Sequence, residues 1–207
     1  MNLHKATLFL ILGSFYTILH KIVYSLLPSL GFTEPWGLLT TVLWITATFA
    51  LILFAFQFLK ELEPRKKWMS VSLIGIIVFT SLVIISKLPL KPLDVNGGLG
   101  HRWLLGISSW LNSLSILVFA LSLRRFISKD TTLWWPTFLL IVACGLTLAL
   151  SFVSLGYSVS FFSTREVIEP LLFLQPLSVL SFIFTSASTL WFLIRFRHID
   201  NYKELIQ

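Results

Sequence analysis

The sequence predicts an all-α integral membrane protein: one domain, residues 1–207, folded as a bundle of six transmembrane helices. Hydrophobic residues make up 56% of the chain, charged residues only 12%, and the mean hydropathy is +0.87. A soluble domain of this length would need far more polar surface. Six stretches reach the roughly 20 residues that a helix needs to cross the hydrocarbon core. They cover residues 6–27, 36–59, 68–87, 103–123, 133–156 and 170–194.

The basic residues predict how these spans are oriented. Eleven of the 16 Lys and Arg residues lie at the N-terminus, in the tail, and in the connections after the second and fourth spans. Cytoplasmic segments carry an excess of Lys and Arg, so both termini are expected in the cytoplasm. The same clustering at span ends explains the net charge of +7 without a nucleic-acid partner. The first span continues to Leu27 and has no small-x-small cleavage site, which favours a span over a signal peptide.

Several spans carry a polar stripe at helical spacing, which we expect to face the bundle. The longest stripe starts at the head of the fourth span and descends into the membrane. The stripe residues are Ser14, Thr17, Lys21 and Ser25 in the first span; His101, Ser108, Asn112, Ser115 and Ser122 in the fourth; Thr147, Ser151 and Ser154 in the fifth; and Gln175, Ser178, Thr185 and Thr189 in the sixth. In the third span, Gly75 predicts a close helix contact, and Cys144 in the fifth predicts a packing role.

The longest gap between apolar segments, residues 88–103, supplies the main functional clue. It contains prolines, glycines and the side chains of Asp94, His101 and Arg102. Further ionisable residues lie at the same end of the predicted bundle, called here the outer end. Neighbouring packed helices lie about 10 Å apart, so these groups are expected to converge. The predicted ligand-binding set is Glu34, Asp94, His101, Arg102, Arg165, Glu166 and Glu169 at the outer end, with Asn112 below them.

Two interpretations of this outer cluster stand side by side. In the first, Asp94 orients or charges His101, and Arg102 or Arg165 holds an anionic head group in a pocket open to the outside. In the second, the charges pair with one another and lock the loops. The sequence alone leaves both open.

Other chemistries find less support. The glycines at 97, 98 and 100 precede His-Arg-Trp rather than the Lys-Ser/Thr of a phosphate-binding loop, and no Gly-x-Ser-x-Gly elbow occurs. The four histidines are split between the two ends, without a His-x-x-x-His pair, so neither haem nor another cofactor is predicted. His20, His101 and Asp94 leave a membrane-embedded, zinc-dependent hydrolase as a third alternative. No catalytic residue and no metal site is predicted.

Several short motifs follow one another in a fixed order along the chain: Pro89, Asp94, Gly100, His101, Arg124, Trp134 and the Arg165-Glu166 pair. This order resembles the prokaryotic membrane family named "domain of unknown function 998". The resemblance extends over nearly the whole chain, although Pro89 and Asp94 stand further apart here. It implies the six-helix fold and a prokaryotic plasma membrane, and it implies no particular reaction.

The function expected from the sequence is therefore binding or transport of a small or lipid-like ligand, with the polar stripes lining a path or pocket. The alternative is a structural, accessory membrane subunit whose stripes serve only helix packing. We expect a protein that is not an enzyme, and the metal-dependent hydrolase ranks third.

Overall fold

The structure is a computed structural model that describes residues 2–26, 34–63, 66–87, 99–129, 131–164 and 170–199. Six helices account for almost all of these residues. No strand occurs in these ranges, which confirms the all-α prediction. The helices are α1 (Leu3–Leu26), α2 (Glu34–Glu61), α3 (Lys67–Lys87), α4 (Leu99–Arg124), α5 (Trp134–Thr164) and α6 (Pro170–Arg197).

Apolar stretches of this length become helices because lipid offers the backbone no hydrogen-bond partners, so each segment must satisfy its own N–H and C=O groups. In the described part of the chain, five helices, α2 to α6, are long and apolar enough to span a membrane. Two helices begin where the sequence places a Glu-Pro pair, since α2 starts at Glu34 and α6 at Pro170. Proline suits a first helical turn because its missing N–H would be unpaired there.

The helices form a closed ring in chain order. Each packs mainly against its two neighbours in sequence, and α1 closes the ring against α6. Successive helices run antiparallel, so the N-terminus, the C-terminal end of α6 and the connections 62–66 and 125–133 share one end, called here the terminal end. The opposite end is called the far end. Basic residues occupy the last turns of the three helices that finish at the terminal end, Lys60, Arg124, Arg195 and Arg197, where they complement the helix dipoles.

Aromatic side chains fill the middle of the helix bundle near the terminal end. Phe58 of α2 lies 5.2 Å from Phe119 of α4 and 5.7 Å from Phe196 of α6, measured between ring centroids. Phe54 and Phe192 extend the group, 6.1 Å and 5.8 Å from Phe196. All five are almost fully buried. These residues, called the aromatic cluster, join the three even-numbered helices across the axis and seal the terminal half of the bundle.

Small residues allow two pairs of helices to approach closely. A Cβ added to Gly13 of α1 would stand 3.1 Å from the Cα of Ala47 in α2, and one added to Gly75 of α3 would collide with the hydroxyl of Ser115 in α4. The predicted packing role of Gly75 is therefore confirmed. Cys144 is also buried, at 1% exposure, among the apolar side chains of the core, as its position in mid-span predicts.

Candidate functional site

The polar stripe of α4 packs against α3. Ser108, Ser115 and Ser122 are buried, and between the first two Asn112 accepts a 3.0 Å hydrogen bond at Oδ1 from the hydroxyl of Thr80. This confirms that the stripe faces the bundle. The amide nitrogen of Asn112 carries two further donors, and it makes no hydrogen bond with any other described residue.

A second polar contact joins α5 to α6. The Thr147 hydroxyl lies 2.8 Å from Ser181 Oγ and 2.7 Å from Thr185 Oγ1, and Thr185 donates to the carbonyl of Ala143 at 3.2 Å. Each hydroxyl has one proton to donate. The protons must therefore run in one direction, from Ser181 to Thr147, from Thr147 to Thr185, and from Thr185 to the Ala143 carbonyl. Such a chain polarises each of its bonds.

Together these five side chains, Thr80, Asn112, Thr147, Ser181 and Thr185, form what we call the polar layer. Asn112 is seven residues from Phe119, and Thr185 is seven from Phe192, so the layer lies about 10 Å beyond the aromatic cluster. It is also about 18 Å, twelve residues, from Arg124 at the end of α4. That distance puts it near the middle of a hydrocarbon core about 30 Å thick.

Burial changes along the three even-numbered helices. Each has a row of residues at spacings of three, four or seven that is buried or half-buried near the aromatic cluster and reaches an exposed residue in the far half. Read back along the chain, the rows are Phe54, Ala50, Ala47 and Leu43 in α2; Leu123, Ala120, Ile116 and Ser109 in α4; and Phe192, Ser188, Thr185, Ser181 and Ser178 in α6. In α4 the neighbouring row through Phe119 and Ser115 stays buried as far as Ser108.

The remaining predicted stripes are placed only in part. In α1, Ser14 and Thr17 are half-buried, and the Thr17 hydroxyl donates to its own helix at the Gly13 carbonyl. Thr189 likewise bonds within α6, to the Thr185 carbonyl, and Ser151 is half-buried. The side chains of Lys21, Ser25, Ser154 and Gln175 lie outside the described part.

Most of the predicted outer cluster also falls outside the described residues. Asp94, Arg165, Glu166 and Glu169 are among the residues not described. Glu34, His101 and Arg102 lie in the first turns of α2 and α4, but the described side chains do not include theirs. Of the eight residues predicted to bind ligand, Asn112 alone has a described side chain. The pairing of Asp94 with His101 stays a prediction.

Two members of the polar layer, Thr80 and Ser181, were missed by the sequence reasoning. For Ser181 the signal was present, because it lies three residues after Ser178 and four before Thr185, on the stripe already recognised in that span. Two further groups stand out. The Trp110 indole nitrogen and the Thr137 hydroxyl are buried without a hydrogen-bond partner among the described residues.

Histidine and carboxylate geometry gives no further site in the described part of the chain. There, no group of three His, Cys, Asp or Glu side chains is arranged to hold a metal ion. His20 lies with its ring centroid 5.8 Å from that of Tyr16, one turn earlier on α1. The zinc set of His20, His101 and Asp94 involves two residues whose side chains are not described.

Comparisons with protein-family models, with curated proteins and with solved structures found no match.

Proposed function

We propose that this protein is a multi-pass membrane protein that binds a small or lipid-like ligand from its far end, with the terminal end in the cytoplasm. The observation that carries the proposal is the change along α2, α4 and α6. Rows of residues on these helices are buried around the aromatic cluster in the terminal half and reach exposed positions at Leu43, Ser109 and Ser178 in the far half. A pocket opening outward and closed inward is the simplest use of that arrangement.

The polar layer supports a ligand that is mostly apolar and carries an acceptor group. Its four hydroxyls are engaged in interhelical hydrogen bonds, whereas Asn112 keeps two amide donors unused by the described residues. The buried core of the bundle is aliphatic and aromatic. An ester, amide or hydroxyl oxygen near the middle of the bilayer would accept from Asn112, and an alkyl portion would suit apolar side chains of this kind.

The outer cluster would meet the polar end of the ligand. Glu34, Asp94, His101, Arg102, Arg165, Glu166 and Glu169 all follow or precede far-end helix termini in the sequence. Both signs of charge are present, so either an anionic or a cationic head group would find a partner there. In a transport cycle the aromatic cluster would have to part to release the ligand at the terminal end. Membership of the prokaryotic family that the chain resembles is part of the same proposal, supported by the six helices in matching order.

Cysteine accessibility tests the pocket. In a Cys144→Ala background, Ser109→Cys and Ser178→Cys should react with a water-soluble thiol reagent, because the reacting thiolate needs water. Two controls should stay unreactive. Ser188→Cys lies on the same stripe as Ser178 but is buried, and Leu146→Cys is exposed on the side of α5 opposite Cys144, where lipid covers it. If Leu146→Cys reacts as fast as Ser109→Cys, the exposure of Ser109 is no mark of a pocket.

The second candidate function is a structural, accessory subunit. The observation that favours it is the hydroxyl chain from Ser181 to the Ala143 carbonyl, which leaves none of its protons for a ligand. A subunit of this kind would use its polar layer only to fix helix packing. Its signature would be unreactive cysteines at 109 and 178 together with normal expression and folding.

A further inference from the structure

Two connections meet at the terminal end and bring basic side chains together. The ammonium group of Lys66, before α3, lies 4.5 Å from the centre of the Phe126 ring, after α4. This contact places Lys67 close to the segment that carries Arg125 and Lys129. All three of these side chains are exposed, and none makes an ion pair with another described residue. Lys67, Arg125 and Lys129 are called the basic patch.

The segment that carries Arg125 and Lys129 is held by hydrogen bonds and by buried side chains. After α4 the chain makes turns closed by hydrogen bonds from the Phe126 amide to the Leu123 carbonyl, 3.0 Å, and from the Trp134 amide to the Thr131 carbonyl, 3.1 Å. Ile127 and Leu133 anchor it in the core, at 6% and 0% exposure. The basic side chains are therefore presented from a fixed backbone, which limits the entropy lost on binding.

Exposed aromatic rings show the depth at which the patch lies. Trp68 is 69% exposed and Trp135 is 60% exposed, next to the starts of α3 and α5. Indole rings at span ends sit at the level of the lipid head groups. Arg124, by contrast, is engaged against its own protein, 4.5 Å above the Trp134 ring and 4.7 Å above that of Phe138. Because Lys67 directly precedes Trp68, the basic patch is expected at the depth of the lipid head groups.

We propose that the basic patch binds an anionic phospholipid by its phosphodiester group. Lys and Arg form charge-assisted hydrogen bonds with phosphate oxygens. The amino end of α3 begins within the patch and has no acidic residue in its first turn, so the helix dipole adds to the attraction. A lipid is favoured over a soluble phosphate because the flanking Trp68, Phe126 and Trp135 rings offer apolar contact to glycerol and acyl groups.

The test is lipid binding to the full chain, followed by native mass spectrometry of the protein in detergent. The probes are phosphatidylglycerol, phosphatidylcholine and inorganic phosphate. The variant is Arg125→Gln with Lys129→Gln. Its matched control is Arg195→Gln with Arg197→Gln, which removes two exposed charges from the same end but from another helix. Surface attraction to anionic lipid is worth about fivefold in affinity per basic residue.

We expect phosphatidylglycerol to bind more tightly than phosphatidylcholine. The patch variant should lose about 25-fold of that affinity. The control should lose clearly less, because Arg195 and Arg197 lie outside the patch. Lys67→Gln alone should lose about fivefold, which keeps the test decisive if the double variant fails to fold. Equal losses of affinity in both double variants would contradict the site, because they would show that lipid binding depends only on the total charge of the terminal end. Competition by inorganic phosphate would assign the patch to a soluble anion, and unchanged affinity in the patch variant would overturn the site altogether.

Discussion

The hydroxyl of Thr80 donates a 3.0 Å hydrogen bond to Oδ1 of Asn112, which links α3 to α4 near the middle of the membrane. Thr80 is completely buried. In hydrocarbon a polar group without a hydrogen-bond partner is costly, so the bond between the two side chains offsets the cost of burying each of them. Yet hydrogen bonds inside bilayers stabilise only modestly, because the unfolded chain in the membrane also finds partners.

Replacing Asn112 with Leu should therefore lower the free energy of unfolding by a modest amount, about 0.6 kcal/mol. The measurement is a double-mutant cycle with Thr80→Val, unfolding the protein in mixed micelles. The coupling energy between the two sites should be of the same size, since each single change removes the same bond. A stabilising effect of Asn112→Leu, or no coupling, would contradict the assignment of this bond.

Thr137 offers the opposite case. It is as deeply buried as Thr80, but its hydroxyl has no hydrogen-bond partner among the described residues. Thr137→Val removes a hydroxyl that is buried away from water and makes no hydrogen bond with the described residues. We therefore expect a gain of about 1 kcal/mol in the free energy of unfolding. Thr80→Val, the same chemical change at equal burial, should cost stability. Losses of equal size at both positions would show that the Thr137 hydroxyl has a partner after all.

Hydropathy and periodicity predicted the class of fold because they follow from the solvent. A bilayer requires about 20 apolar residues per span and places stripes of small polar residues between helices. Gly75 and the serines of α4 were predicted on that basis; the structure places Gly75 against Ser115 at the α3–α4 contact, and Ser108 and Ser122 are also buried. Helix ends differ by up to eight residues, since helices continue past the hydrocarbon. The largest difference is in α5, which was predicted over residues 133–156 and extends over Trp134–Thr164.

What periodicity does not supply is the choice of neighbours in the ring. Nothing in the sequence of α1 names α6 as its second partner, and the meeting of Phe58 with Phe119 and Phe196 depends on three segments far apart in the chain. The partners of Thr147 have the same origin. A stripe shows that a residue faces the bundle, whereas the identity of its partner follows from the packing of whole helices.

The orientation of the bundle is a separate prediction, resting on the excess of Lys and Arg at the terminal end. In a Cys144→Ala background, Lys66→Cys and Gly98→Cys should react with an impermeant thiol reagent from opposite sides of sealed vesicles. Lys66→Cys should be reached from the cytoplasmic side. Labelling of both from one side would contradict the six-span arrangement, and labelling with reversed sides would invert the orientation.

The last prediction concerns the outer cluster, where Asp94 and His101 both lie within the 88–103 segment. If they hold the polar end of a ligand, Asp94→Asn and His101→Ala should each retain less of it through purification. A hydrogen bond to a charged group is worth about 1.5–3 kcal/mol, which is about tenfold or more in affinity. The measurement is mass spectrometry of lipids and small molecules extracted from equal amounts of folded protein.

Two matched controls make that comparison specific. Glu61→Gln neutralises a carboxylate at the terminal end, and His198→Ala removes an imidazole there. Both should retain the ligand as wild type does, because they leave the far end unchanged. If all five proteins carry the same species in the same amount, while Asp94→Asn and His101→Ala differ only in thermal stability, the two residues lock the loops. The pocket would then have to be bounded by the helices alone, with Asn112 as its polar contact.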